Sequence, residues 1–178
     1  MVTPCWVQDN TPEKVAGFSP REMADAESMG LGYRMEHLFR GTGTLTLDGE
    51  TRSFKAVGNR IHRQSVRPLE GFRGHVWQAA NFPDGRAFAY IAYPPADDGS
   101  TYNEGYVYIG GKMYPATGKN LPWLTAAALT TDGQDNSLEM EYEGGTVKIA
   151  GKGVLNTFKV MSEGEMAGFA LNQGSTRY

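Results

Sequence analysis

Residues 33–47 constrain the fold more than any other part of this sequence. Their odd-numbered positions are mostly apolar or glycine, whereas their even-numbered positions are mostly Arg, Glu and Thr. Alternation with a period of two predicts a β-strand with one buried face, because successive side chains of a strand point to opposite sides. We therefore expect a long strand whose odd-numbered residues face the core.

The dipeptide Asp48-Gly49 follows this strand and predicts a two-residue turn into a second strand over residues 51–57. This turn pairs Leu47 with Glu50, and the register then continues one residue at a time toward the open end of the hairpin.

Carried further without a bulge, this register gathers basic and titratable side chains on one strand face. His37 stands opposite Arg60, and Met35 stands opposite His62. Polar groups on an apolar face must pair with each other, stay wet or bind something, so this cluster is either a site or a self-satisfied polar pocket. Arginine would hold an anionic or carbonyl oxygen, and histidine could move a proton near neutral pH.

Three further hairpins are predicted from turn sequences. The motif FPDGRAF predicts a two-residue turn whose register puts His75 and Trp77 on the same face as Tyr90. The glycine pairs at 110–111 and 144–145 predict the other two, and the register of the last pairs Glu141 with Lys148. A final strand is expected over residues 167–171.

Residues 19–22, SPRE, form a capping-box sequence with proline at the first helical position, and they predict a short helix to about Met29. Residues 1–18 show no period, which predicts an arm on the surface. Long strands joined by short turns predict an all-β protein, an antiparallel meander that closes into a barrel or a strongly curled sheet. We assign residues 1–32 to the arm and short helix, and residues 33–178 to the barrel.

Composition limits the partners. The net charge of −3 argues against nucleic acid or an anionic membrane as the main partner. No apolar run approaches the ~20 residues that span a bilayer, and the N-terminus lacks a signal-peptide pattern. The single cysteine, Cys5, excludes an internal disulfide and fits a reducing compartment, so we expect a cytoplasmic protein.

Several side chains could line a ligand cavity or simply pack in the core. His75 and Trp77 share a face, with Tyr90 and Tyr106 as polar handles. Glu104 follows a loop, where it could act as a general acid or base or remain solvated. The spacing of His and Cys predicts no metal site, and the common nucleotide and hydrolase motifs are absent, so we expect no cofactor.

Residues 58–67, GNRIHRQSVR, resemble the G-x-R-D-H-S-W-G-x-R signature of AttH-like, lipocalin-type proteins, the superfamily that includes carotenoid 1,2-hydratases. The stretches GHVWQAANFPDGRAFAY and NEGYVYIGGKMYPA also resemble the C-terminal barrel half of those proteins. Arg60, His62 and Arg67 match the signature, whereas Ile61 stands where the family usually has aspartate.

The resemblance implies a lipocalin-like (calycin-like) barrel that holds a lipophilic small molecule. An enzyme of this kind would carry out acid–base isomerisation, hydration or dehydration, or cyclisation without metal or cofactor. His62 would carry the proton, and Arg60 and Arg67 would orient a polar end of the substrate. The alternative is a non-catalytic binding or structural half domain. Family members usually carry two barrels, so we expect a homodimer or pairing with a second barrel.

Overall fold

The computed structural model describes residues 4–8, 12–122, 132–161 and 170–178. The helices in this part of the chain are α1 Pro12–Val15 and α2 Pro20–Ser28. The strands are β1 Cys5–Gln8, β2 Arg34–Leu47, β3 Glu50–Arg63, β4 Val76–Asn81, β5 Ala87–Ala92, β6 Asn103–Ile109, β7 Lys112–Lys119, β8 Leu138–Tyr142, β9 Gly145–Ile149, β10 Lys152–Met161 and β11 Ala170–Arg177. Neither helix is long and apolar enough to cross a membrane.

The chain divides into two compact units, Met1–Pro115 and Ala116–Tyr178. In the first unit, β1, β2 and β3 form one antiparallel sheet. Strands β4, β5 and β6 are neighbours, in that order, in a second antiparallel sheet. Together they make a curled antiparallel half-barrel. In the second unit, the end of β7 pairs with β8, β8 pairs with β9, and β10 pairs with β11. The predicted all-β, antiparallel class is confirmed.

The predicted helix is also confirmed. Ser19 caps α2, and both bonds of the capping box are present: the Glu22 backbone N–H donates to the Ser19 hydroxyl at 3.2 Å, and the Ser19 N–H donates to the Glu22 carboxylate at 2.7 Å. These two bonds satisfy backbone donors that a helix N-terminus leaves unpaired. Gly30, with φ of 78°, ends the segment.

The register of the β2–β3 hairpin is confirmed over its whole length. Leu47 pairs with Glu50, and no bulge interrupts the ladder from there to the pairing of His37 with Arg60. The turn residues Asp48 and Gly49 have φ of 51° and 81°, the positive pair that a type I′ hairpin turn requires.

The predicted facing of β2, however, is wrong. The even-numbered Arg34, Glu36 and Leu38 are buried, whereas the odd-numbered Phe39 and Leu45 are exposed. We call the first set the inner face and the second the outer face. Charged residues point inward here because partners on other strands satisfy them, which the pattern within one strand does not reveal.

The FPDGRAF hairpin differs from its prediction by one residue. The Phe82 N–H donates to the Arg86 carbonyl oxygen at 2.8 Å, so the loop has three residues instead of two. Because a one-residue change flips every side chain, Trp77 stands opposite Ile91 and lies on the other face from Tyr90.

The remaining hairpins follow the predicted turns in outline. The turn at residues 110–111 is confirmed between β6 and β7. The last hairpin is shifted by two residues, so Lys148 pairs with Glu139 instead of Glu141. A shift of two preserves the faces, and Met140 and Ile149 are buried. Strand β11 covers the end of the predicted strand, whereas residues 167–169 lie outside the described residues.

The N-terminal segment is not only a surface arm. Strand β1 pairs with β2, with Trp6 opposite Glu36. Trp6 packs against a core cluster of the first unit whose buried members are Leu38, Ala87, Ala89 and Tyr106. This core lies between the two sheets of the half-barrel, and the inner face of the hairpin contributes to it through Leu38.

Candidate functional site

The inner face of the hairpin carries a fully buried carboxylate, that of Glu36, with a solvent exposure of 0%. Arg34, two residues earlier on the same face, forms an ion pair with Glu36 Oε1. The indole N–H of Trp77 on β4 donates to the same oxygen at 3.2 Å. Asn59 Nδ2 on β3 donates to Glu36 Oε2 at 2.6 Å. The Tyr106 hydroxyl on β6 lies 3.4 Å from Oε2. These five residues form the Glu36 cluster.

Local structure explains why these side chains meet. Arg34 and Glu36 share a face because they are two residues apart in β2, and Asn59 shares it because it pairs with Leu38 across the ladder. Trp77 and Tyr106 come from the facing sheet. The Trp6 ring closes one side, since the Arg34 guanidinium lies 5.5 Å from its centroid.

The cluster surrounds one carboxylate with hydrogen-bond donors. Both oxygens of Glu36 are occupied by donors from four strands, an arrangement that stabilises a buried charge. Burial, followed by the charge of Glu36, raises the pKa of the Tyr106 hydroxyl, which therefore stays protonated as a donor. Two polar atoms of the cluster have no partner among the described residues: Arg34 Nη1 and Asn59 Oδ1.

A second group of cations lies beside Arg34. Arg63 stands directly opposite Arg34 in the ladder, and its guanidinium donates to the backbone carbonyl oxygens of Met29 and Gly30. Burial and then the charges of Arg67 and Arg34 lower the pKa of Arg63. Burial and nearby positive charge also lower the pKa of a neighbouring histidine.

That histidine is His75, whose ring packs against Phe72 at 5.6 Å and Tyr93 at 5.8 Å. Loss of water around the ring, followed by the positive charges of Arg67 and Arg34, lowers its pKa to about 4. The residue is exposed to solvent, but the packing of its ring and the nearby positive charges act on its pKa in the same direction. His75 is therefore neutral at pH 7.

A buried aspartate anchors the loop between β3 and β4. Asp25 on α2 accepts two hydrogen bonds from Arg73, at 3.2 Å from Nε and 2.8 Å from Nη2. Arg21 lies 3.1 Å from the same carboxylate. This bidentate pairing fixes the segment between β3 and β4 against the helix.

The structure separates the predicted site residues from one another. Trp77 and Tyr106 belong to the Glu36 cluster. Arg67 and His75 belong to the surroundings of Arg63, because the charge of Arg67 lowers the pKa of Arg63 and the charges of both arginines lower the pKa of His75. The others lie elsewhere.

The remaining predicted residues do not touch the Glu36 cluster. Arg60 and His62 are exposed on the outer face, and His37 is partly buried on that same face. The expectation that these three face the apolar interior is thus wrong. Tyr90 is buried on the far side of its sheet, where its hydroxyl donates to Gln78 at 3.0 Å.

Glu104 pairs with Lys14 of α1 at 2.6 Å. Its Oε2 atom has no hydrogen-bond partner among the described residues. Among all the residues that the structure describes, no three His, Cys, Asp or Glu side chains are grouped as a metal site requires.

Sequence reasoning missed Arg34, Glu36 and Asn59. An Arg-x-Glu step in a strand reads as a solvated face, because charged side chains are rarely buried. The available signal was the tryptophan and tyrosines on later strands, which need polar partners when buried. No pattern within one strand assigns those partners.

The class that this arrangement defines is an all-β protein with a curled antiparallel half-barrel around a buried, donor-saturated glutamate. Comparison with protein-family models, curated protein sequences and solved structures finds no match to the chain.

Proposed function

We propose that the half-barrel of the first unit binds a small lipophilic molecule against Trp77. The observation that carries this proposal is the state of that side chain. Its indole N–H is engaged by a fully buried carboxylate, yet 39% of the residue is exposed. The surface that it presents is therefore apolar, and its orientation is held by a hydrogen bond.

A rigid aromatic surface suits an apolar ligand better than a mobile one. Binding costs less ordering entropy when the contact group is already fixed. Small-molecule sites combine apolar and aromatic walls with a few placed polar groups, and the Glu36 cluster supplies both beside one another. The resemblance of residues 58–67 to AttH-like, lipocalin-type proteins favours the same class of ligand.

A titration tests this proposal. The full chain is mixed with the apolar, environment-sensitive fluorophore 1-aminoanthracene, and its emission is followed against protein concentration. We expect saturable binding that falls about tenfold in Trp77→Ala, because a large contact surface is removed. The control Leu47→Ala, at the exposed tip of the hairpin, should bind as the parent does. Equal loss in both variants, or no saturable binding in the parent, would reject the proposal.

Acid–base catalysis by His62, with Arg60 and Arg67 orienting a substrate, stays a prediction. His62→Ala separates it from binding alone: lost turnover with retained ligand binding supports catalysis, and unchanged behaviour supports a binding domain. The expected homodimer and cytoplasmic location likewise stay predictions. A mass in solution that stays monomeric at every concentration would count against the dimer.

A further inference from the structure

We propose that the ligand carries a carboxylate and that Arg34 binds it through Nη1, with Arg63 and Arg67 supplying excess positive charge. The inference rests on the proposed function, since it specifies the polar end of the same ligand. It assigns a role to Arg34, which the sequence pattern alone would leave in solvent.

The first support is an unpartnered donor in a dry place. Arg34 is only 5% exposed, and its Nη2 atom is paired with Glu36. Its Nη1 atom is buried and has no hydrogen-bond partner among the described residues. A buried N–H group of a charged side chain that lacks an acceptor is costly. Guanidinium can only donate, so the missing partner must be an acceptor.

The second support is the local balance of charge. Glu36 is the carboxylate that pairs with Arg34. Arg63, directly across the ladder, donates through Nη2 to neutral carbonyl oxygens and through Nε to the Ser65 hydroxyl, so its positive charge is not cancelled. No carboxylate of the described residues lies within ion-pair distance of Arg63 or Arg67.

Glu36 is the only carboxylate of the described residues that pairs with Arg34, Arg63 or Arg67, and the nearby Asp25 is already paired with Arg21 and Arg73. Positive charge therefore remains beside Arg34, in a protein whose net charge is −3. His75, which is neutral at pH 7, adds none. A carbonyl or hydroxyl oxygen would satisfy the Nη1 donor but leave this excess in place. A carboxylate accepts from the Nη1 donor and also balances the excess positive charge. Charge-assisted hydrogen bonds are about twice as strong as neutral ones.

The third support is position. Arg34 Nη2 and Trp77 Nε1 converge on the same oxygen, Glu36 Oε1. Their side chains are therefore neighbours, and a ligand whose carboxylate meets Arg34 can place its adjoining chain on the exposed surface of Trp77. The site thus fits a monocarboxylate with an apolar tail.

The test compares dodecanoate with dodecanol, which share a tail and differ in the head group. Each displaces 1-aminoanthracene from the full chain at pH 7.5. We expect dodecanoate to bind at least about tenfold more tightly, as a charge-assisted hydrogen bond predicts. Equal affinity for both probes overturns the inference and leaves the proposed function standing. Failure of both probes to displace the fluorophore overturns the inference, whereas failure of the fluorophore itself to bind rejects the proposed function.

Variants then locate the head group. Arg34→Met combined with Glu36→Gln removes the ion pair without leaving either charge alone, and it should abolish the preference for dodecanoate while dodecanol binding persists. Arg67→Gln, at an exposed position, should reduce the preference about threefold even where the double variant does not fold. The control Arg52→Gln, on the exposed end of the hairpin, should keep it. If both the Arg34 variant and the Arg67 variant still prefer dodecanoate to dodecanol as the parent does, the assignment of Arg34 is overturned.

Discussion

The two faces of the β2–β3 hairpin share one backbone and one register but lie in opposite environments. The inner face holds Arg34, Glu36 and Asn59. Glu36 and Asn59 are hydrogen-bonded to side chains of the facing sheet, and Arg34 is paired with Glu36. The outer face holds Arg60 and His62, which are exposed. Charge alone does not decide which face is buried. What decides it is whether other strands bring donors and acceptors to the charged groups.

The largest expected difference between the faces is at the carboxylates. Glu36→Leu removes the acceptor that four donors share and leaves the Arg34 charge buried. We expect a loss of about 3–5 kcal/mol in the free energy of unfolding. Urea unfolding followed by circular dichroism measures it. Glu50→Leu, at the exposed end of the same hairpin, should change stability by about 0.5 kcal/mol or less. A loss below about 1 kcal/mol for Glu36→Leu would break the comparison.

The arginines give the next largest difference. Arg34→Met leaves Glu36 with three donors, so we expect a loss of about 2–3 kcal/mol. Arg60→Met, on the outer face, should stay within about 0.5 kcal/mol of the parent. Combining Arg34→Met with Glu36→Gln should cost less than the sum of the two single changes, because the pair acts as a unit. Additive costs would show that the ion pair is not formed.

A smaller effect is expected at a tyrosine hydroxyl. Tyr106→Phe removes one donor to Glu36, while Asn59 still donates to the same oxygen at 2.6 Å. The expected loss is about 1 kcal/mol, measured by the same urea transition. Tyr33→Phe, at an exposed position just before β2, is the control and should be neutral. Equal losses in the two variants would mean that the hydroxyl bond contributes nothing.

The smallest effect concerns pH. The pKa of His75 is lowered in the folded state to about 4, against about 6.5 for an unperturbed histidine. The folded protein therefore binds fewer protons between these values, so this group's contribution is complete above pH 6.5 and is lost as pH falls toward 4. His75→Gln should flatten that part of the curve of unfolding free energy against pH. The change should be modest because the residue is exposed to solvent. An unchanged slope would contradict the shift.

Local patterns predicted the elements well and their surroundings poorly. The type I′ turn at Asp48-Gly49 sets a register that needs nothing else, so the pairing of His37 with Arg60 followed from sequence. The turn near Asp84 has one residue more than expected, and that moved Trp77 to the other face from Tyr90. Turn length is thus the weak point of such an argument.

The candidate site was only half predictable for a related reason. Trp77 and Tyr106 are conspicuous in the sequence as large side chains with a polar atom. Glu36 is not, because its partners other than Arg34 lie 23 to 70 residues away along the chain. A buried ion network is a property of the tertiary structure, and only pairwise proximity identifies its members.

The central claim is that Glu36 is buried and accepts the indole proton of Trp77. Hydrogen exchange of the three tryptophan indole protons, measured by NMR and assigned with Trp77→Phe, tests it directly. We expect the Trp77 indole proton to exchange slowly in the parent. Glu36→Leu leaves no acceptor, so it should remove most of this protection. The double variant Glu36→Gln/Arg34→Met keeps an acceptor oxygen, so it should lose less. Exchange of that proton in the parent at the rate of a free indole would contradict the account.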